Sequence, residues 1–268
     1  MSRKEVLVTG ATGLVGTGLL RELSLWPYNV TVLVRNRGDV AKFRKQGLKV
    51  ILGDIIEADS LAKFRSHFDL VFHLAAAIRQ FEKDGQLQKT NIDGLKNVLD
   101  AFCSHGKKTL LIFASTIDAA IRNSDYANSK IMGEKIIKKF AKEHPKFNFI
   151  NVRFGNIYHH KDGGFEKSIA DLINKGGWKA SLLYHELGDK IVYPTELNSL
   201  IRKFFDLISS PNRHGKTIEI FDRKIKVKDI SKAIPKKLTG SRLLLSVWHL
   251  MGKLTKRGDL LIYLNSEK

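Results

Sequence analysis

The chain has 268 residues, enough for one large domain or a main domain with a smaller lobe, and its 43% hydrophobic and 27% charged composition excludes a disordered chain. A single cysteine, Cys103, excludes an internal disulfide and fits a reducing compartment; in its apolar surroundings it reads as a core residue. The formal net charge of +19 favours anionic ligands, but the lysines are scattered in pairs without a basic stripe or interleaved aromatics, so nucleic acid is not expected as a partner.

Met1 to Lys4 is too short and polar for a signal peptide, so the expected location is cytoplasmic. The apolar run Val6-Leu7-Val8 then predicts a strand, which passes through Thr9-Gly10-Ala11-Thr12-Gly13-Leu14-Val15-Gly16 into a helix over Leu14 to Leu25. A strand, a glycine-rich turn and a helix in that order leave backbone N–H groups and the positive helix end aimed at one spot, which suits a pyrophosphate. Gly10 permits the tight turn, Gly13 lets the phosphates approach and Gly16 lets the helix pack close; Thr12, Leu14 and Val15 complete the expected cofactor contacts.

Val30 to Val34 reads as a second, fully buried strand. Arg35 follows it, where an Asp or Glu would bind the adenosine ribose; with Arg37 nearby, a planar cation suits a 2′-phosphate and favours NADP over NAD. A basic helix near Val40 to Gln46 and a third strand, Val50-Ile51-Leu52, lead to Gly53-Asp54-Ile55. Asp54 either meets the adenine amine or caps the next helix, and Ile55 lies beside it. Leu70 to Ala77 is the expected fourth strand, its small residues after Leu74, Ala75 and Ala76, permitting close approach of a flat ligand. His73 reads as a structural residue, and no metal site is expected, because no partner stands at ligand spacing.

Leu87 to His105 carries a helical stripe with Asn91 at its start. Leu110 to Phe113 is the fifth strand and ends in Ala114-Ser115-Thr116, which sets hydroxyls at the sheet edge where such folds place ligands. Tyr126-Ala127-Asn128-Ser129-Lys130 follows; on a helix this spacing stacks phenol and ammonium on one face, and a neighbouring Lys⁺ is expected to lower the Tyr pKa.

With the glycine turn, Asp54, His73-Leu74-Ala75-Ala76, Asn91, Ser115-Thr116 and Tyr126-x-x-x-Lys130 in one order, the chain resembles the extended short-chain dehydrogenase/reductases, and within them the NAD-dependent epimerase/dehydratase family. Asn151-Val152-Arg153-Phe154-Gly155-Asn156-Ile157-Tyr158 and Gly188 to Leu197 extend the likeness, which covers about residues 4 to 235. The resemblance implies an α/β fold: a Rossmann-type, doubly wound parallel sheet over residues 1–157, rejoined by 188–212, with a small substrate lobe from 158–187 and 213–268. It also implies Tyr126 as catalytic acid/base, Lys130 as the group that tunes it and holds the nicotinamide ribose, and Thr116 on the substrate oxygen. Asn156 would touch both cofactor and substrate; Ser115 and Arg153 would touch substrate, and Asn91 would support the sheet edge.

Three departures from the family pattern stand out. Only nine residues separate Thr116 from Tyr126; Ile117-Asp118 replaces the Asp-Glu pair of dehydratases; and His159-His160 replaces the usual Gly-Pro. The resulting expectation is an NAD(P)-dependent oxidoreductase or epimerase of an anionic small molecule, a nucleotide-linked sugar, with a homodimer as the expected assembly. An NADPH-dependent reductase of a lipid or other carbonyl compound and a catalytically idle NADP(H)-binding protein are the alternatives. Lys161, Lys167, Lys175 and Lys179 would suit an anionic substrate. The segment 241–257, apolar at its centre with basic flanks, is too short to span a bilayer and is either a core helix or a surface contact with an anionic membrane.

Overall fold

A computed structural model describes residues 3–64, 66–77, 85–121, 124–160, 164–165, 167 and 190–230. The chain divides into two units, Met1–Phe154 with Leu197–Ile220, and Gly155–Glu196 with Phe221–Lys268.

The first unit is a seven-stranded parallel sheet of β1 (Lys4–Thr9), β2 (Tyr28–Val34), β3 (Lys49–Leu52), β4 (Leu70–His73), β5 (Thr109–Thr116), β6 (Phe147–Phe154) and β7 (Lys216–Ile220). Across the sheet the order is β7-β6-β5-β4-β1-β2-β3, every neighbouring pair parallel. Val6, Leu7 and Val8 of β1 are wholly buried, so side chains on both faces are covered, as a parallel sheet between helical layers requires. On one face Leu7, Leu33, Val71, Leu111 and Phe113 join one apolar cluster with residues of α3 (Ala58–Ala62), α4 (Gly94–Phe102) and α5 (Asp125–Glu143). On the other, Phe72 meets Phe204 of α6 (Leu197–Ile208), and Leu197 packs beside Gly18 of α1 (Leu14–Leu23). Strand order reverses between β1 and β4, the switch point at whose carboxyl edge doubly wound sheets bind ligands. The Rossmann-type architecture expected from the sequence is thus present.

Several boundaries differ from expectation. β4 stops at His73 instead of Ala77: Leu74 N still donates to Thr9 O, but Ala77 N turns to a side chain, Asn91. The helix expected over 87–105 is interrupted by a π turn at Lys89–Asp93, so its regular part begins at Gly94 and ends at Phe102. Lys216–Ile220, expected in the small lobe, is the edge strand of the main sheet, and the chain re-enters this unit at Leu197, so the return runs over 197–220 instead of 188–212. Cys103 is buried at the end of α4, and burial pushes its thiol pKa up.

In the second unit Asn156–Tyr158 pairs in parallel with Pro194–Glu196, and Ile191–Val192 pairs antiparallel with Ile225–Lys226. Asp222 ties these pieces together: its N–H donates to Pro194 O and its carboxylate accepts from Glu196 N. The expected lysines Lys161, Lys175 and Lys179 and the segment 241–257 lie outside the described residues. Among the described residues no helix is long and apolar enough to cross a membrane.

Candidate active site

The glycine turn closes on itself. Gly10 has φ +71°, a left-handed conformation that a Cβ penalises, and its carbonyl accepts the Gly13 N–H at 3.1 Å. A Cβ on Gly10 would lie 2.6 Å from Ala75 N, and one on Gly16 would lie 2.2 Å from Gly10 O. At Gly13 a Cβ would meet only Gly10 O, at 3.4 Å, so that position faces open space. Gly13 caps α1 without any side-chain bond, which leaves the N–H groups of an exposed first turn to an outside acceptor. Thr12 and Leu14 are exposed, Leu14 to 53%, and Val15 is half-buried. The chemistry of this cradle fits an anionic phosphate group: uncapped donors, the positive end of a ten-residue helix, and no side chain in the way.

The cradle is joined to the end of β4. Thr9 Oγ1 lies 3.0 Å from His73 Nδ1 and accepts from Ala75 N at 3.3 Å, so Leu74, Ala75 and Ala76 run directly past the turn. Burial, with Lys130 nearby, brings the His73 pKa down to about 3, so the ring is neutral and structural, as its sequence context suggested. Asn91 then fixes the next residue. Its Oδ1 accepts from Ala77 N at 2.8 Å, while Nδ2 donates to Ala77 O at 3.0 Å and to Ser129 Oγ at 2.9 Å. Asn91 sits inside the π turn, a local widening that frequently marks functional sites. Ser129 in turn donates to Tyr126 O, which connects the β4 end to the helix carrying the tyrosine.

Ser124 caps α5 by accepting from Ala127 N, which sets where the first turn starts and so where Tyr126 stands. One turn on, Lys130 is 2% exposed; its Nζ donates to Ala114 O at 2.8 Å and lies 4.8 Å above the Phe113 ring and 5.8 Å from the Tyr126 ring. Burial brings its pKa down from 10.5 to about 7, against the opposing pull of Glu134. The phenol does not behave as the spacing suggested. Burial, with the Asp118 carboxylate adding to it, holds Tyr126 above its ordinary pKa, because desolvation outweighs a lysine that is itself short of charge. Thr116 is buried at the end of β5 and its Oγ1 accepts from Asp118 N at 3.2 Å.

Ser115 and Arg153 are engaged by a residue the sequence reading passed over. Glu134, 5% exposed, accepts from Ser115 Oγ at 2.7 Å and from Arg153 Nε and Nη2, each at 2.8 Å. Arg153 also lies 3.7 Å from Glu219. The signal for Glu134 was its place four residues after Lys130, on the same helix face.

Arg35 and Arg37 are exposed, and among the described residues neither side chain has a partner; Asn36 between them caps α2 (Arg37–Lys45) by accepting from Gly38 N. Asp54 accepts from Ile56 N and its backbone is braced by Ser60, while Ile55 is buried against Gly94 with its carbonyl held by Asn97. Asn156 belongs to the second unit, where its N–H donates to Tyr193 O.

Comparison with known proteins gives the family and the fold. The profile of the family described as "NAD dependent epimerase/dehydratase family" matches residues 6–187. The UDP-N-acetyl-alpha-D-glucosaminuronate decarboxylase of Bacillus cytotoxicus is 32% identical over 120 residues, 42% of this chain and 37% of that protein. The X-ray structure of Pen from Bacillus thuringiensis superposes with a TM-score of 0.71 at 21% identity, covering 89% of this chain and 74% of that one. The UDP-glucose 4-epimerase of Thermus thermophilus, solved in complex with NAD, gives 0.62 at 19% identity, covering 85% and 81%. The chain spans about half the length, or less, of the curated relatives it matches.

Proposed function

The chain belongs to the NAD dependent epimerase/dehydratase family, and from that membership we propose that it is a nicotinamide-dependent oxidoreductase or epimerase acting at a carbinol carbon of a nucleotide-linked sugar. The observation that carries this reading is Lys130, a buried amine bonded to Ala114 O at the carboxyl edge of β5, one turn from Tyr126. A structural lysine would be expected at the surface; burial here calls for a function. The UDP-sugar chemistry in the names of the decarboxylase and the 4-epimerase supports the substrate class.

When bound, a nicotinamide dinucleotide supplies the acceptor or donor for the hydrogen at the reacting carbon. Its pyrophosphate is assigned to the first-turn N–H groups of α1, at Leu14 and Val15, beside the open face of Gly13 and beyond Gly10, with Gly16 allowing the close approach. Its adenosine end is assigned to Asp54 and Ile55, and its flank to Leu74, Ala75 and Ala76. Tyr126 Oη exchanges a proton with the substrate oxygen: held above its ordinary pKa, the phenol is set to donate when a carbonyl is reduced, and oxidation of a carbinol uses the ionised phenolate, which accepts the hydroxyl proton and is favoured by raising the pH. Lys130 supplies a donor for the ribose and, in its protonated form, positive charge beside the phenol. Thr116 Oγ1, already oriented by Asp118 N–H, offers its proton to the same substrate oxygen. Asn156 is assigned to the substrate on the family likeness alone, whereas Ser115 and Arg153 shape the site through Glu134.

Arg35 carries the choice of dinucleotide. It is an exposed guanidinium at the end of β2 and is free, among the described residues, to pair with a 2′-phosphate. The protein is therefore expected to bind NADPH more tightly than NADH, and Arg35→Ala to lower NADPH affinity by about tenfold, on the order of 1.4 kcal/mol, with little change for NADH. Titration of reduced-nicotinamide fluorescence measures both; equal affinities in the unmutated protein would contradict the assignment. The reaction itself is tested by incubating the protein with NADP⁺ or NAD⁺ and a panel of UDP-linked sugars and reading products by NMR. A changed sugar configuration or a new carbonyl is expected, and a silent panel with tight dinucleotide binding would reduce the protein to a binding function.

A further inference from the structure

Tyr126, Lys130 and Glu134 follow one another at four-residue intervals on α5, and the third of them is bonded like a clamp. Ser115 and Arg153 stand directly opposite each other in the β5–β6 register, and both reach the Glu134 carboxylate. Ser115 is flanked by Ala114, whose carbonyl holds Lys130, and by Thr116. We propose that Glu134 is a positioning residue for the reaction: its carboxylate fixes α5 on β5 and β6 and sets a negative charge one helical turn from Lys130, on the face that carries Tyr126.

The geometry supports both parts. Three charge-assisted hydrogen bonds to one carboxylate, from two strands, leave α5 little freedom to rotate or slide, and the bidentate Arg153 contact adds directional rigidity. The charges around the pair are few. Lys130 is faced by Tyr126 and Glu134 from its own helix, by the neutral His73 from β4 and by the Ala114 carbonyl from β5; Asp118 stands near Tyr126. Arg153, from β6, is occupied by Glu134 and Glu219. Glu134 and Glu219 both pair with Arg153, and Glu134, one turn from Lys130 on α5, also pulls the Lys130 pKa up against burial.

The role in the reaction rests on assigning Lys130 to the active site; the coupling between the two side chains is visible without any turnover. The test is an NMR titration of the Lys130 side chain in the full-length, ligand-free protein with isotopically labelled lysine, assigned through Lys130→Arg. Glu134→Gln is expected to lower the Lys130 midpoint by about one pH unit or more, and Glu134→Asp, which keeps the carboxylate, to restore it. In the active enzyme the alkaline limb of kcat/KM should move down by the same amount in Glu134→Gln and return in Glu134→Asp. Should Glu134→Gln fail to fold, Arg153→Gln, which removes the guanidinium from the carboxylate and leaves it bonded to Ser115, is expected to raise the Lys130 midpoint instead. An unchanged midpoint in folded Glu134→Gln, or in folded Arg153→Gln, would overturn the inference. A shifted midpoint in a protein without turnover on any substrate would support the coupling while removing the enzymatic reading.

Discussion

Tyr126→Phe is expected to lower turnover by about a hundredfold to ten-thousandfold while leaving dinucleotide affinity and thermal stability near those of the unmutated protein. The substitution removes one oxygen and keeps the ring that faces Lys130. The main supports of α5 do not involve the phenol: Ser124 caps the helix, Ser129 holds Tyr126 through its backbone carbonyl, and Lys130 hangs on Ala114. A loss confined to turnover therefore isolates proton transfer from folding and binding. Unchanged turnover would move the acid/base elsewhere, and lost dinucleotide binding would mean that the phenol serves the cofactor instead of the substrate.

A second large effect is expected at the cradle, where two glycines should respond in different ways. In Gly16→Ala the new methyl would sit 2.2 Å from Gly10 O and 2.8 Å from Ala11 Cα, both backbone atoms that cannot swing aside. Opening the turn to relieve that clash should destabilise the fold by about 1–3 kcal/mol, the usual cost of overpacking, and abolish dinucleotide binding. Gly13→Ala meets only Gly10 O at 3.4 Å, an ordinary contact, so the melting temperature should hold. Its methyl enters the space assigned to the pyrophosphate, so dinucleotide affinity should still fall by about tenfold or more. Thermal melting with parallel fluorescence titration separates the two, and a Gly13→Ala protein that binds normally would place the phosphates away from this turn.

These effects depend on features that differ in how plainly the sequence announces them. Buried parallel strands such as Val30 to Val34 are continuous apolar runs because both faces are covered, so they can be recognised one at a time. Lys216–Ile220 escaped that rule: as an edge strand it alternates Ile218 and Ile220 with Glu219, the pattern of a half-exposed strand, and the pattern does not say which sheet it joins. The π turn around Asn91 has no sequence period of its own, since a single widened turn only shifts the phase of a helical stripe. Tyr126 and Lys130 were legible from their spacing, but their protonation was not. The phenol pKa depends on how deeply the pair is buried and on Asp118, neither of which four-residue spacing encodes. Glu134 was hidden for a related reason. An acid among the lysines of α5 resembles a solvated helix face until β5 and β6 deliver Ser115 and Arg153 to it from distant parts of the chain. Glu134 is buried while Arg153 is partly exposed, and removing either partner is expected to lower stability, so the site and the stability of the fold share this residue.

The central claim, that the glycine cradle and the Tyr126–Lys130 pair form one reaction site for a UDP-linked sugar, is tested most directly by single-turnover absorbance. The protein, saturated with the oxidised dinucleotide it binds more tightly, is mixed with UDP-sugars, and the near-ultraviolet band of reduced nicotinamide is followed in the unmutated chain and in Tyr126→Phe. The account predicts that at least one sugar raises that band in the unmutated protein and that the rise is lost or slowed by about a hundredfold in Tyr126→Phe. A band that forms at the same rate in both proteins, or in neither despite full dinucleotide occupancy, would contradict it.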